Sequence, residues 1–278
     1  MNKNNIISLT VMTLLATAVQ AVSAEQQPGT GFIEGSQLSV LNRNYYYNSD
    51  NHSGGKDGRE WGHSILSAFT SGYTSGTVGF GLDAHAYLAL KLDSGRGRNR
   101  SDMFPMKSNG ASRDESTSAG AAVKMRISRS ELKYGDLRPY NPVFALADTR
   151  MFPATATGFM FTSSEIDDLY IDAGHFTSGK DYNQTHGDGD FFAGYAGVKG
   201  GNVDYLGGSY GIDDNTSVTL YTSRYEDLWR QHYLNGNYTL PLGEQRALNL
   251  DANIYRTTEQ GQALAGNLTA TNTVCAAN

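Results

Sequence analysis

Cysteine is almost missing from the chain: Cys275 is the one thiol in 278 residues, so no intrachain disulfide can form and no multi-cysteine metal site can exist. Proline is scarce, at 6 residues. No unbroken apolar run reaches the ~18 residues of a spanning helix, and the mean hydropathy is −0.44, which excludes a helical transporter bundle. Positive charge is in deficit, with 22 Lys+Arg against 28 Asp+Glu and a net charge of −6, so nothing tracks a phosphate backbone and nucleic acid is excluded as a partner. What the chain has instead is 32 glycines, 17 tyrosines and 11% aromatic residues, a composition of strands and turns. The glycines follow no Gly-X-Y period, and the aromatic content argues against disorder.

The first 24 residues have the features of a secretory signal. Lys3 precedes an apolar stretch carrying Ile6, Ile7, Leu9, Val11, Met12, Leu14 and Leu15, and Val22-Ser23-Ala24 places small residues before Glu25. Ser8, Thr10, Thr13 and Thr17 interrupt the stretch too often for a membrane anchor. The expectation is a signal peptide over 1–24 and an exported chain from 25 onward.

The most informative segment is 77–92. There Val78, Phe80, Leu82, Ala84, Ala86, Leu88, Leu90 and Leu92 alternate with Thr77, Gly79, Gly81, Asp83, His85, Tyr87, Ala89 and Lys91. Strands of soluble domains usually run about five or six residues, so an unbroken two-residue period of this length is unusual. The pattern returns where Ala119, Ala121, Val123, Met125 and Ile127 alternate with Gly120, Ala122, Lys124, Arg126 and Ser128, and again where Leu248, Leu250, Ala252 and Ile254 alternate with Asn249, Asp251, Asn253 and Tyr255. One apolar side, one polar side and aromatics at segment ends suit a strand with lipid on one face and water on the other, closed into a barrel so that every backbone group is paired.

Eleven strands are expected, at 37–47, 60–73, 76–92, 117–128, 130–137, 157–164, 168–177, 203–211, 215–226, 229–240 and 246–256, with 257–278 as a tail without strand. Short and long connections alternate, as in outer-membrane barrels with short turns on one rim and long loops on the other. The fold class is therefore all-β, a transmembrane antiparallel β-barrel filling 25–278 as a single partial domain.

Motifs of enzyme chemistry lose to this pattern. Gly79-Phe80-Gly81-Leu82-Asp83-Ala84 fits a relaxed dinucleotide fingerprint, but the strand period runs straight through it where a helix should open. Gly207-Gly208-Ser209-Tyr210-Gly211 fits a nucleophile elbow, but a turn and another strand follow. His186-Gly187-Asp188-Gly189-Asp190 lacks the later glutamate of a calcium loop, and no histidine pair has metalloprotease spacing. The expectation is no enzyme, no cofactor and no metal.

The charged residues instead suggest a solute path. Arg96, Arg98 and Arg100 follow the best strand directly and are placed to crowd the long-loop mouth and concentrate anions. Lys124 and Arg126 share the polar side of their strand and continue a cationic path inward, with Arg150 in the long 138–156 connection as a further member. Guanidinium groups suit carboxylates through paired donors, while Asp83 suits an amino group. Asp83, His85, Lys91, Lys124 and Arg126 thus line the expected lumen. Ion pairs that stiffen a polar wall explain the same charges equally well.

Residue by residue, the chain resembles the OprD-type substrate-specific porins of Gram-negative outer membranes. The resemblance rests on Asn42-Arg43-Asn44-Tyr45-Tyr46-Tyr47-Asn48, on Gly76-Thr77-Val78-Gly79-Phe80-Gly81-Leu82-Asp83-Ala84, on Leu90-Lys91-Leu92-Asp93-Ser94-Gly95-Arg96-Gly97-Arg98, on Ser130-Glu131-Leu132-Lys133-Tyr134-Gly135, on Thr162-Ser163-Ser164-Glu165-Ile166-Asp167 and on Arg256-Thr257-Thr258-Glu259. It implies an eighteen-stranded barrel, an inward-folded third long loop that narrows the channel (138–156 by loop order), and a basic ladder for carboxylate-bearing amino acids or organic acids. It also implies residence in the outer membrane after passage through the periplasm, with outer-membrane lipid and the barrel assembly machinery as partners. About 11 strands of 18 and an ending without a terminal aromatic lead to the expectation of a C-terminally truncated product. The leading function is a passive porin for small carboxylate solutes. An outer-membrane adhesin or structural barrel using its long loops is the alternative, and a secreted hydrolase using Ser209 is a third reading.

Overall fold

The computed structural model describes residues 31–52, 57–93, 101–187, 189–243, 246–266 and 271–277. The signal segment 1–24 and the mouth residues Arg96, Arg98 and Arg100 lie outside the described residues. In chain order the strands are β1 (Gln37–Ser49), β2 (Gly58–Thr70), β3 (Val78–Lys91), β4 (Glu115–Ile127), β5 (Ser130–Leu137), β6 (Tyr140–Asn141), β7 (Phe144–Ala145), β8 (Thr155–Ser163), β9 (Leu169–Lys180), β10 (Phe191–Ala193), β11 (Val198–Gly200), β12 (Val203–Asp213), β13 (Thr216–Tyr225), β14 (Trp229–Pro241), β15 (Ala247–Glu259) and β16 (Thr271–Ala277).

Twelve of these form one sheet in the order β1-β2-β3-β4-β5-β8-β9-β12-β13-β14-β15-β16, and the pairs β6–β7 and β10–β11 are small ribbons within long loops. Within this sheet every strand pairs antiparallel with the sheet strand that follows it along the chain, which is the meander of a barrel wall. The eleven expected strands are β1 to β5, β8, β9 and β12 to β15.

One expectation is corrected. The segment 257–278 is not a tail without strand, because β15 runs on to Glu259 and β16 pairs with it from Asp251↔Ala277 to Thr257↔Thr271. The alternating apolar signal is absent there, but the backbone edge of β15 offers N–H and C=O groups with which a following segment can pair.

The two faces of the sheet separate as the period requires. Large apolar side chains stand outward and exposed, with Phe80 at 55%, Val123 at 58%, Leu206 at 55% and Leu220 at 57% of their accessible area. Exposed apolar patches beyond a few hundred Å² are rare on soluble monomers, and at roughly 25 cal/mol per Å² a belt on every strand would be costly in water. Against hydrocarbon the cost disappears. On the other face Ser64, Tyr87, Ala89, Ser118, Ala122 and Lys124 are buried, although among the described residues no second sheet larger than a two-stranded ribbon is present. Their cover comes from loops.

Candidate functional site: a loop pinned across the concave face

The connection between β5 and β8 supplies that cover. It carries the β6–β7 ribbon and enters the concave face, where Val143, Phe144, Met151 and Phe152 are all at most 3% exposed. Its first anchor is Phe144, whose ring meets Phe176 of β9 at 5.2 Å, Phe191 of β10 at 5.7 Å and Tyr225 of β13 at 5.8 Å between centroids. Edge-on packing of this kind adds about 0.5–1.5 kcal/mol per pair beyond burial.

Polar contacts hold the same anchor. Asn141 turns its carbonyl oxygen back to accept from the backbone N–H of Val143 (3.1 Å) and Phe144 (2.7 Å). Its amide donates to Asp172 of β9 at 3.3 Å. Asp172 also accepts from the hydroxyls of Tyr205 (2.8 Å) and Tyr221 (3.4 Å), and Tyr225 donates to the Val143 carbonyl at 3.1 Å. A single buried carboxylate thus ties the loop to three strands.

The second anchor lies at the β1–β3 end of the sheet. Phe152 meets Tyr87 of β3 at 5.7 Å, and Ser64 of β2 donates to the Met151 carbonyl at 3.2 Å. Beneath them the β3–β4 loop inserts Met103 and Phe104. Gly62 makes the seat, since a Cβ there would stand 2.8 Å from the Phe104 ring and 3.1 Å from the Met151 sulfur. Arg43 of β1 donates to Asp148 at 2.8 Å and to the Arg150 carbonyl, and Arg138 donates to Asp148 at 3.1 Å. Burial opposes the charge on Asp148, but the two guanidiniums outweigh it and hold the carboxyl below the usual carboxylate range.

Asp83, His85, Lys91, Lys124 and Arg126 all belong to the inward set of β3 and β4, as their alternation requires. Most are engaged. Lys124 is 3% exposed, and its ammonium sits 2.7 Å from Asp83, donates to the Ser71 carbonyl at 2.8 Å and lies over the Tyr73 ring. Asp83 also holds Lys133 at 3.0 Å, which reaches Glu131 at 3.2 Å. His85 lies 3.7 Å from Asp136, which Lys180 of β9 pairs. Lys91 lies 3.5 Å from the buried Glu60, which also accepts from the Ser101 hydroxyl.

Two expected cations differ from the rest. Arg126 stacks 4.5 Å over Tyr73, and Arg150 stands 5.6 Å from both the Tyr47 and Tyr182 rings while its Nε donates to the Ser101 carbonyl at 2.8 Å. Neither has a carboxylate within ion-pair distance among the described residues. Arg150 belongs to the pinned loop itself. Residues the sequence reading missed are Glu60, Asn141, Asp172 and Lys180; Asn141 carried a signal, since an Asn before Pro142 favours a side-chain-capped turn.

The enzyme-like motifs resolve as wall. Ser209 shares a 2.7 Å hydrogen bond with Thr219 in mid-sheet, and β12 continues past it to Asp213 without a helix. That geometry removes the hydrolase reading. Gly79 and Gly81 lie within β3.

Comparison with known proteins agrees with this architecture. The family model described as outer membrane porin, OprD family, matches residues 30–277. Porin D of Pseudomonas aeruginosa is 46% identical over 251 residues, covering 90% of this chain and 57% of that protein. Among solved structures, OpdK of Pseudomonas aeruginosa, crystallised with vanillate, superposes with a TM-score of 0.80 at 32% identity, covering 88% of this chain and 63% of its own. OccAB2 of Acinetobacter baumannii gives a TM-score of 0.82 at 26% identity, with 89% and 63% covered. The chain thus spans less than two thirds of the length of these relatives, and those relatives are porins rather than enzymes. With its lipid-facing meander and its sequence matched from 30 to 277, the chain belongs to the OprD family of outer membrane porins of Gram-negative bacteria.

Proposed function

We propose that the chain builds the wall and constriction of a passive channel for small carboxylate-bearing solutes, amino acids or organic acids among them. The observation that carries this reading is the β5–β8 loop, held across the concave face at both ends, with Arg150 in its second anchor between Asp148 and Met151. A loop in that position narrows an aqueous path without closing it by covalent or metal chemistry, and Arg150 offers a guanidinium fork matched to a carboxylate. Aromatic neighbours keep that fork extended and partly dehydrated, which strengthens its attraction for an anion.

Arg126 extends the basic path toward the short-turn rim, and Arg96 and Arg98 belong to the same proposal at the mouth. In this reading the interlocked Asp83, His85, Lys91 and Lys124 shape the wall's field rather than bind solute one by one. The vanillate in the OpdK structure is itself an aromatic carboxylate, which supports the solute class. Delivery through the barrel assembly machinery belongs to the same reading.

Reconstitution into planar bilayers tests it. The chain gives discrete conductance, and Arg150→Gln combined with Arg126→Gln shifts the reversal potential in a salt gradient toward cation preference. Conductance with an unchanged reversal potential would remove the basic path, and no conductance at all would remove the channel.

A further inference from the structure

The outward face of the sheet carries a feature that solute passage does not use. The period that turns Tyr221, Ser223 and Tyr225 inward turns Leu220, Thr222 and Arg224 outward. On β14, with Asn235 inward, Arg230, His232 and Leu234 are exposed outward, and on β15 Ile254 and Arg256 are. Register brings the cations together: Arg224 is opposite Arg230, and His232 is opposite Arg256.

Like charges directly opposite in a ladder repel, and none of the three arginines has an acidic partner among the described residues. The acid in the patch, Asp204, is opposite Arg224 but is engaged by His175 at 2.7 Å. The patch lies at the β13–β14 end of these strands, the rim that also carries the long loops and faces the cell exterior in this barrel layout.

Directly below it the surface becomes apolar. A groove of about 760 Å³ runs between Ile171, Leu206, Tyr210, Val218 and Leu220, and it shares Leu206 and Thr222 with the basic patch. Gly208 opens the groove, because it faces outward among them with no side chain, and a Cβ there would stand 2.1 Å from the Tyr170 carbonyl. The step from Arg256 to Ile254, or from His232 to Leu234, is two residues, about 7 Å along a strand.

We infer that this patch and groove form a seat for a phosphate-bearing acyl lipid of the outer leaflet, the arginines taking the phosphate and the groove an acyl chain. Arginine pairs bind phosphate oxygens bidentately, which relieves the repulsion between Arg224 and Arg230. The inference rests on the lipid-facing orientation of these strands and is independent of what the channel carries.

Native mass spectrometry of the full chain in detergent micelles, titrated with bisphosphorylated lipid A, tests it. Dephosphorylated lipid A binds at least about tenfold more weakly, as does the Arg224→Gln, Arg230→Gln, Arg256→Gln triple variant toward the intact lipid, since charge-assisted bonds are lost in both cases. Leu220→Trp, which fills the groove, also weakens binding, and inorganic phosphate does not compete. Equal affinity for the two lipids, an unaffected triple variant, or full competition by inorganic phosphate would overturn the lipid seat. The single variant Arg256→Gln repeats the reading should the triple variant not fold.

Discussion

The concave wall is built in two ways. On β3, β4 and β5 it is charged and interlocked, with Lys124, Asp83, Lys133 and Glu131 in one chain of ion pairs and His85 and Asp136 in another that Lys180 of β9 completes. On β14 and β15 it is a ladder of amides, in which Asn235 and Asn237 donate to Asp251 at 2.9 and 3.0 Å and Asn237 and Asn249 exchange bonds at 3.1 and 3.0 Å. Loops bury much of the first wall and less of the second, where Asn237 and Asp251 keep partial access and Asn249 is exposed. Buried charge must be paired with opposite charge, whereas in a wall with access to water a lone carboxylate, Asp251, is satisfied by the neutral amides around it. Charge in this lumen is therefore used first as structure, and only cations outside the ion-pair chains remain for solute.

The contrast is broken most severely at Asp83. Asp83→Ala strands the Lys124 ammonium, whose side chain is 2% exposed, and removing one partner of a buried pair costs about 3–5 kcal/mol. A large fall in the urea unfolding midpoint in micelles is expected. Asp251→Ala in the amide ladder serves as the counterpart and leaves the midpoint close to the parent, because Asn235, Asn237 and Asn253 rebond among themselves or to water. Equal shifts would erase the distinction between the walls.

Phe144→Ala comes next. It empties the aromatic anchor on β9 and β13 at about 3 kcal/mol and raises single-channel conductance, whereas Asn141→Ala costs about 1–2 kcal/mol by releasing the turn from Asp172. An unchanged conductance in Phe144→Ala would show that the loop does not narrow the path.

The smallest effect is the pH dependence of the second anchor. Asp148 is held below the ordinary carboxylate range in the folded chain, so its stabilising contribution is complete above that range and is lost as pH falls through the lowered value. Unfolding midpoints should not lose this contribution between pH 7 and 5. They should lose it only below about pH 4. Asp148→Asn flattens that acid limb without touching Phe144.

Much of the wall was legible in the sequence. The two-residue period over 77–92 placed Asp83, His85 and Lys91 on one face, and the same reading placed Lys124 and Arg126, because side-chain direction in a strand follows from local periodicity alone. Which partner each charge meets was not legible. Lys124 reaches Asp83 because Gly81 is the residue opposite it, and Lys133 joins them because it is opposite Lys124 on the other side. Register across the sheet sets those pairs, and no single strand encodes it. The same limit hid the row of Arg224, Arg230 and Arg256, while β16 escaped because its sequence carries no amphipathic alternation. Loop order pointed to 138–156 as the inward segment, but its anchors at Asp172 and Arg43 join residues far apart in sequence.

The central claim is that this loop lies across the concave face, and cross-linking across its first anchor tests it most directly. In a Cys275→Ser background, Val143→Cys and Tyr225→Cys are paired in membranes with a short bis-maleimide, and linked peptides are counted by mass spectrometry. An inward loop gives a dominant intramolecular product joining the two positions. Full single labelling at both positions with no linked peptide would contradict it.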